Sequence, residues 1–187
     1  QHALKKFRND HYLHKELEQV LIEADTDKLT GLANRRSLDE FLDALVTIFP
    51  EENKSFSLII ADVDHFKYYN DTHGHQMGDL VLVNIASILK NSIRRGDLAA
   101  RFGGEEFVVI LPNCTKENAV LVGNKLRSAI SDQNIQFQNQ QPMGNLTCTF
   151  GVATYPDDAD TKELLLKRAD ECLYNGKARG RNKVVAA

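Results

Sequence analysis

An α+β fold, with an antiparallel central sheet flanked by helices and a helix added in front, is predicted by three observations. Short apolar runs at 57–63, 98–102, 107–111 and 146–154 have the length and the residue types of strands. Between and around them lie stretches with apolar residues every three or four positions, the spacing of helices that bury one face. Their order, strand, helix, strand, strand, helix, strand, is that of a ferredoxin-like palm. The size agrees: 187 residues suit one domain, and 42% hydrophobic with 26% charged residues excludes disordered and collagen-like chains. No apolar run approaches the roughly 20 residues that a bilayer requires.

Residues 1–26 contain neither Gly nor Pro and read as one helical linker, with Leu13, Leu17, Val20 and Ala24 forming a two-heptad seam. The seam fits a helix lying on its own domain or the end of a signalling helix that pairs two copies. The second is favoured, because the seam stands at the very start of the chain. The polar start, Gln1-His2-Ala3 without Met, reads as part of a longer protein. Residues 27–187 are then one folded domain. Ser37–Phe49 is a helix with Leu38, Phe41, Leu42, Leu45 and Ile48 on one face, stopped by Pro50. Ser57–Val63 is continuously apolar, the mark of a strand buried on both sides. Asp79–Arg94 is a helix through Val81, Ile85, Ile88, Leu89 and Ile93. Leu98–Phe102 and Phe107–Leu111 are strands joined through Gly103-Gly104-Glu105-Glu106, a hairpin signal. Thr115 caps a helix to Ser131, the Gln- and Asn-rich stretch 132–144 is a surface loop, Leu146–Thr154 is a strand, and Lys162–Ala178 is a helix ended by Gly180. The element order predicts helices on one face of the sheet.

Charge narrows the function. Twenty-three Lys and Arg against 26 Asp and Glu give a net charge of −3, which weighs against nucleic-acid binding. Lys177, Arg179, Arg181 and Lys183, with no acid among residues 172–187, make one cationic corner suited to a small anion such as phosphate. Cys114, Cys148 and Cys172 are far apart and form no CxxC, so neither a disulfide framework nor a zinc site is expected, and a reducing cytoplasm fits.

Two acidic clusters carry chemistry. Asp62 ends the most buried strand, where a lone carboxylate is costly unless paired or bound to metal. A hard divalent ion such as Mg²⁺ would satisfy it. Asp62 and Asp64 could instead cap the next helix, and for Asp64 cap and ligand are equally good readings. Glu105 and Glu106 sit in a turn whose glycines allow close approach to a bulky anion. By itself an acidic hairpin tip is usually only solvated. Beside a second acidic strand end it becomes the plan for two-metal nucleotidyl transfer.

At this point the sequence resembles a known family. Gly103-Gly104-Glu105-Glu106-Phe107 matches the active GGEEF form of the GGDEF domains, the bacterial diguanylate cyclases. Asp27-Lys28-Leu29-Thr30-Gly31-Leu32-Ala33-Asn34-Arg35-Arg36 is similar to the family's opening motif, 62–79 to its metal and guanine segment, and 169–182 to its closing motif. The resemblance covers about residues 25–185 in order and spacing. It implies a homodimer in which each subunit binds one GTP, the two joining as cyclic di-GMP with release of two pyrophosphates. It implies two Mg²⁺ per site, or Mn²⁺, held by Asp62, Glu105 and the carbonyl of Val63. Glu105 would accept the proton, Glu106 would support or ligate, and Lys67, Lys177 and Arg181 would hold phosphates. Phe66, Asn70, His75, Asp79 and Gly103 would line the substrate, with Asn70 and Asp79 choosing guanine. Asp79 has a second reading as a helix cap, and His75 as a loop residue without a role. Arg94 and Asp97, five residues before Gly103, match the family's inhibitory RxxD position. Lys125 stands where relatives often have an Arg, and lysine lacks the planar fork for guanine and phosphate. An upstream sensor domain and a cytoplasmic location, whether the parent protein is free or anchored to a membrane, complete the implied picture. The rival readings are an inactive domain that senses cyclic di-GMP or GTP, and a dimerisation scaffold. Intact acids, glycines and lysines argue against both.

Overall fold

The computed structural model describes residues 25–50 and 54–187. The seam of Leu13, Leu17, Val20 and Ala24 lies outside the described residues. Five helices and five strands follow in the order α1 (Arg35–Ile48), β1 (Phe56–Val63), α2 (Phe66–His73), α3 (His75–Ser92), β2 (Leu98–Gly103), β3 (Glu106–Pro112), α4 (Lys116–Ser131), β4 (Cys148–Tyr155), α5 (Lys162–Ala178) and β5 (Val184–Ala186). The strands form one sheet in the order β2-β3-β1-β4-β5, antiparallel except for the β4–β5 pair. The continuously apolar β1 takes the centre, and all eight of its residues are buried. Side-chain oxygens start three of the helices: Asn34 accepts from the Ser37 N–H, Thr115 from Asn118, and Thr161 from Leu164.

Successive strand residues face opposite sides, and the two sides have different helices. Ile59, Ala61 and Val63 join Val81, Leu82, Ile85 and Leu89 of α3 and Ala119, Leu126 and Ile130 of α4. Leu58 and Ile60 join Leu38, Leu42 and Leu45 of α1 and Leu165, Ala169 and Leu173 of α5. The expectation of helices on one face is therefore corrected: the β-α-β-β-α-β core alone has that form, and α1 and α5 cover the second face. The physical reason is in β1 itself, because a strand apolar at every position needs apolar cover on both sides.

Other boundaries shift. The expected helix at 79–94 begins at His75 and ends at Ser92, so Asp79 lies within it and the cap reading fails. The strand expected at 146–154 runs Cys148–Tyr155, though Leu146 is buried. Two further elements, α2 and β5, are too short for the sequence to announce. The stretch after α4 is turns and one short 3₁₀ turn, Gln138–Gln140, with Ile135 and Gln141 buried beneath it.

Candidate active site

The acidic residues meet because of strand parity and register. Asp62 follows Leu58 and Ile60 on the α5 side of β1, and it pairs across β1–β3 with Glu106. Glu105 is in the turn between β2 and β3, and its carbonyl accepts from the Val63 N–H at 3.3 Å, closing the turn over the end of β1. From the same side α5 brings Lys177, whose Nζ lies 2.8 Å from Asp62 Oδ1. Two glycines let α5 come that close. A Cβ on Gly151 of β4 would lie 2.0 Å from the Ala169 carbonyl oxygen, and one on Gly176 would lie 2.6 Å from Thr149 Cγ2. A larger residue at Gly151 would push the helix that carries Lys177, and one at Gly176 would displace that helix or the Thr149 side chain.

This corner holds more negative charge than it can comfortably neutralise. Burial raises the Asp62 carboxyl above its ordinary value, and Lys177 only partly opposes this. Burial likewise raises Glu105 and Glu106, and the Asp62 charge pushes both further. Three desolvated acids facing one ammonium are a donor set for a hard cation. Among the described residues no three His, Cys, Asp or Glu groups are placed to hold an ion by themselves. Such an ion would complete its shell with carbonyls, waters and phosphate oxygens, the usual habit of Mg²⁺.

Around this corner stand the remaining residues. Lys67 is exposed on the first turn of α2, next to the buried Phe66. Asn70, also on α2, is half-buried with an Oδ1 that has no hydrogen-bond partner. It reaches α3 at Gly78, where a Cβ would lie 1.8 Å from that oxygen. Asp79, exposed, follows Gly78, and His75 opens α3. Gly103 ends β2 beside the turn. Arg181 lies beyond α5 at φ +60°, close enough for its charge to be felt at Asp62. The structure thus gathers Asp62, Val63, Glu105, Glu106 and Lys177 at one strand end, with Arg181 within electrostatic reach. It puts Phe66, Lys67, Asn70, His75 and Asp79 on the helices that follow β1.

Asp64 does not cap α2, and its carboxylate is met by donors of the chain itself. His65 is the N-cap residue of α2 and no side chain caps the helix, while both Asp64 oxygens accept hydrogen bonds. Oδ1 accepts from Thr149 Oγ1 and Oδ2 from Thr147 Oγ1, each at 2.7 Å. A second brace also went unread in the sequence. Arg101 donates to the Gly104 carbonyl from Nε and Nη2 and pairs with Asp27 at 3.3 Å. Asp27 also accepts from the Thr30 N–H and hydroxyl. Burial alone would raise the Asp27 carboxyl, but the bonds from Thr30 and Arg101 outweigh it and hold it low. The opening turn and the acidic hairpin are therefore tied to each other. The Asp-x-x-Thr spacing, which fits a turn closed by its own side chain, was the available signal.

Arg94 and Asp97 form a separate site. Asp97 takes the Arg94 backbone N–H at 3.1 Å and its Nε at 3.0 Å. The Asp97 side chain is 4% exposed, whereas that of Arg94 is 61% exposed. The pair stands between two cavities of about 350 and 320 Å³, one against Asn118, Leu121 and Val122 of α4, the other against the opening turn and Lys90. Lys125 is exposed on α4, one turn beyond Leu121 and Val122.

Comparison with known proteins gives one result throughout. The profile of the family described as "Diguanylate cyclase, GGDEF domain" matches residues 24–183. The response regulator PleD of Caulobacter vibrioides is 41% identical over 97% of this chain and 40% of its own length. Diguanylate cyclase A of Treponema denticola is 38% identical over 89% of this chain and 45% of its own length. The chain thus spans less than half the length of these curated relatives. Among solved structures, the coiled coil and GGDEF domain of DgcB from Caulobacter crescentus, in complex with cyclic di-GMP, superposes with a TM-score of 0.87. That match is at 33% identity and covers 99% of this chain and 97% of that one.

Proposed function

Because the chain belongs to the GGDEF domain family of diguanylate cyclases, we propose that two copies of it condense two GTP into cyclic di-GMP. Each copy holds one GTP, and the two sites face each other. The 3′-hydroxyl of each GTP attacks the α-phosphorus of the other, so two phosphodiester bonds form and two pyrophosphates leave.

The observation that carries this reading is the pairing of Asp62 with the Glu105–Glu106 turn across β1 and β3, with Lys177 closing the third side. Asp62, Glu105 and the Val63 carbonyl would hold Mg²⁺, which offsets phosphate charge and makes the attacking hydroxyl more acidic. Glu105, its carboxyl raised by burial, is suited to accept the hydroxyl proton. Glu106 keeps the local potential negative. Lys67, Lys177 and Arg181 meet the triphosphate, and in that step Lys177 exchanges Asp62 for phosphate oxygens. Asn70 and Asp79 read guanine: the carboxylate accepts from N1–H and the exocyclic amine, donors that adenine lacks. The unpartnered Asn70 Oδ1 supports its share in this. Phe66, His75 and Gly103 border the nucleotide.

Product would return to Arg94, whose exposed guanidinium is braced by Asp97, and Lys125 would serve as a weaker second cation than arginine. The crystallised DgcB fragment contains a coiled coil. That supports residues 1–26 as a helical linker pairing two copies ahead of the catalytic domain at 27–187, and the greater length of the curated relatives fits an upstream sensor domain. Among the described residues no helix is long and apolar enough to cross a membrane, and the cytoplasm, where GTP is available, is the proposed location.

Incubation with GTP and Mg²⁺ tests the proposal. Cyclic di-GMP and pyrophosphate should appear in a 1:2 ratio, with a rate that rises faster than linearly with protein concentration. Binding of GTP or cyclic di-GMP without turnover would identify a sensor instead.

A further inference from the structure

We propose that Asp64 is a positioning residue for the phosphate grip, setting the turn Gly180–Asn182 and through it Arg181. The proposal rests on reading the site as a GTP site. The Asp64 carboxylate is 3% exposed and its charge is met by hydroxyl and backbone donors, not by a cation. Besides Thr147 and Thr149 of the β4 segment, Oδ2 accepts from the Asn182 backbone N–H at 3.1 Å. That same N–H lies 3.1 Å from Thr149 Oγ1. One buried charge therefore joins the end of β1, the edge of β4 and the segment after α5, which is 118 residues away in sequence.

The turn it holds needs holding. Gly180, Arg181 and Asn182 have φ values of +102°, +60° and +45° in succession. For the two that bear a Cβ this left-handed backbone is strained. The turn is closed by the Arg181 N–H on the Gly176 carbonyl at 3.0 Å, and by Arg127 on the Asn182 side chain at 3.1 Å. Its result is to hold Arg181 within electrostatic reach of Asp62 while, among the described residues, the Arg181 side chain makes no hydrogen bond or ion pair of its own. Gly176, against Thr149, precedes Lys177 directly. The Asp64 network thus fixes both ends of the segment that carries the two cations. A charged acceptor suits the task, because hydrogen bonds to a carboxylate are shorter and stronger than those to a neutral oxygen.

The test is calorimetric titration of the whole chain, with Mg²⁺ present, using a GTP analogue with a methylene between the α- and β-phosphates. Asp64→Asn and Thr149→Val should each weaken binding about tenfold, the scale seen when supporting partners of ligating groups are lost. Thr149→Ser should restore it. In an Arg181→Ala background Asp64→Asn should cost less than about threefold, because its effect passes through that arginine. A merely structural aspartate would lower the melting temperature, yet leave affinity unchanged or cost the same in both backgrounds, and either result overturns the proposal. Should Asp64→Asn not fold, the Thr149 pair and the same arginine cycle decide. Wild-type chain that fails to bind the analogue overturns the GTP reading and this proposal with it. Wild-type binding with unaltered Thr149→Val and Asp64→Asn affinity overturns this proposal alone.

Discussion

Asp62 and Asp64 are two residues apart on the same strand end, nearly equal in burial at 5% and 3% exposure, and they are stabilised in opposite ways. Asp64 has a neutral hydrogen-bond donor for each need: two threonine hydroxyls and one backbone N–H. Asp62 has one ammonium, and shares it with two glutamates that repel it. A carboxylate with a complete neutral shell is part of the scaffold. A carboxylate with an incomplete shell, at the mouth of a glycine turn, is suited to a ligand that brings positive charge, as proposed for Asp62. The contrast shows how a buried acid in a strand can be sorted: by what meets its charge, not by its depth.

Exchanging these residues should separate the two roles. Glu105→Gln and Asp62→Asn should each lower cyclisation by at least about 10²-fold, since they remove the charge that would hold the metal against the reacting phosphate. Neither should destabilise the metal-free chain by more than about 1 kcal/mol, because Lys177, one-third exposed, can turn to water. Asp64→Ala should act first on stability, lowering unfolding free energy by about 2–4 kcal/mol in chemical denaturation as its buried donors lose a charged acceptor. A stable Asp64→Ala chain, or an active Asp62→Asn chain, would break the contrast.

A third carboxylate sharpens it. Asp97 is buried like the other two, but its charge is met by the single Arg94 beside it. Arg94→Ala should leave the initial rate nearly intact and weaken cyclic di-GMP binding at least tenfold, about 1.4 kcal/mol by calorimetry.

The smallest effect is on pH. Asp62, Glu105 and Glu106 have carboxyls raised by burial, so the folded chain keeps protons that the unfolded chain has already released. Stability that depends on these groups therefore grows as pH falls toward the ordinary carboxylate range and is lost as pH rises through the raised values. Glu105→Gln with Glu106→Gln removes most of that dependence. The double variant should be more stable than wild type at about pH 7.5, and the gap should narrow by about pH 5 in metal-free thermal melts.

Much of this was legible in the residues. The apolar run 57–63 marked the central strand, and Gly103-Gly104 between apolar strands marked the hairpin that brings Glu105 and Glu106 to Asp62. Thr115 and Asn118 announced their helix correctly. What stayed hidden depended on distance in sequence. Helix α2 has only eight residues and β5 only three, too few to show a period. The role of Asp64 is set by Thr147, Thr149 and Asn182, and that of Asp27 by Arg101, partners that no local pattern joins to them. The pairing of Lys177 with Asp62 was hidden likewise, because composition shows a cationic corner but not which acid it meets.

One measurement bears most directly on the claim that the acidic corner is kept unstable in order to bind. Thermal unfolding of wild type and Glu105→Gln is followed first without metal, then with Mg²⁺ and the methylene-bridged GTP analogue. Without ligand, Glu105→Gln should melt at or above wild type. With ligand the order should reverse, wild type rising further, because its extra carboxylate now faces a cation. Glu105→Gln melting clearly below wild type without ligand, or equal shifts in both proteins on adding it, would contradict the account.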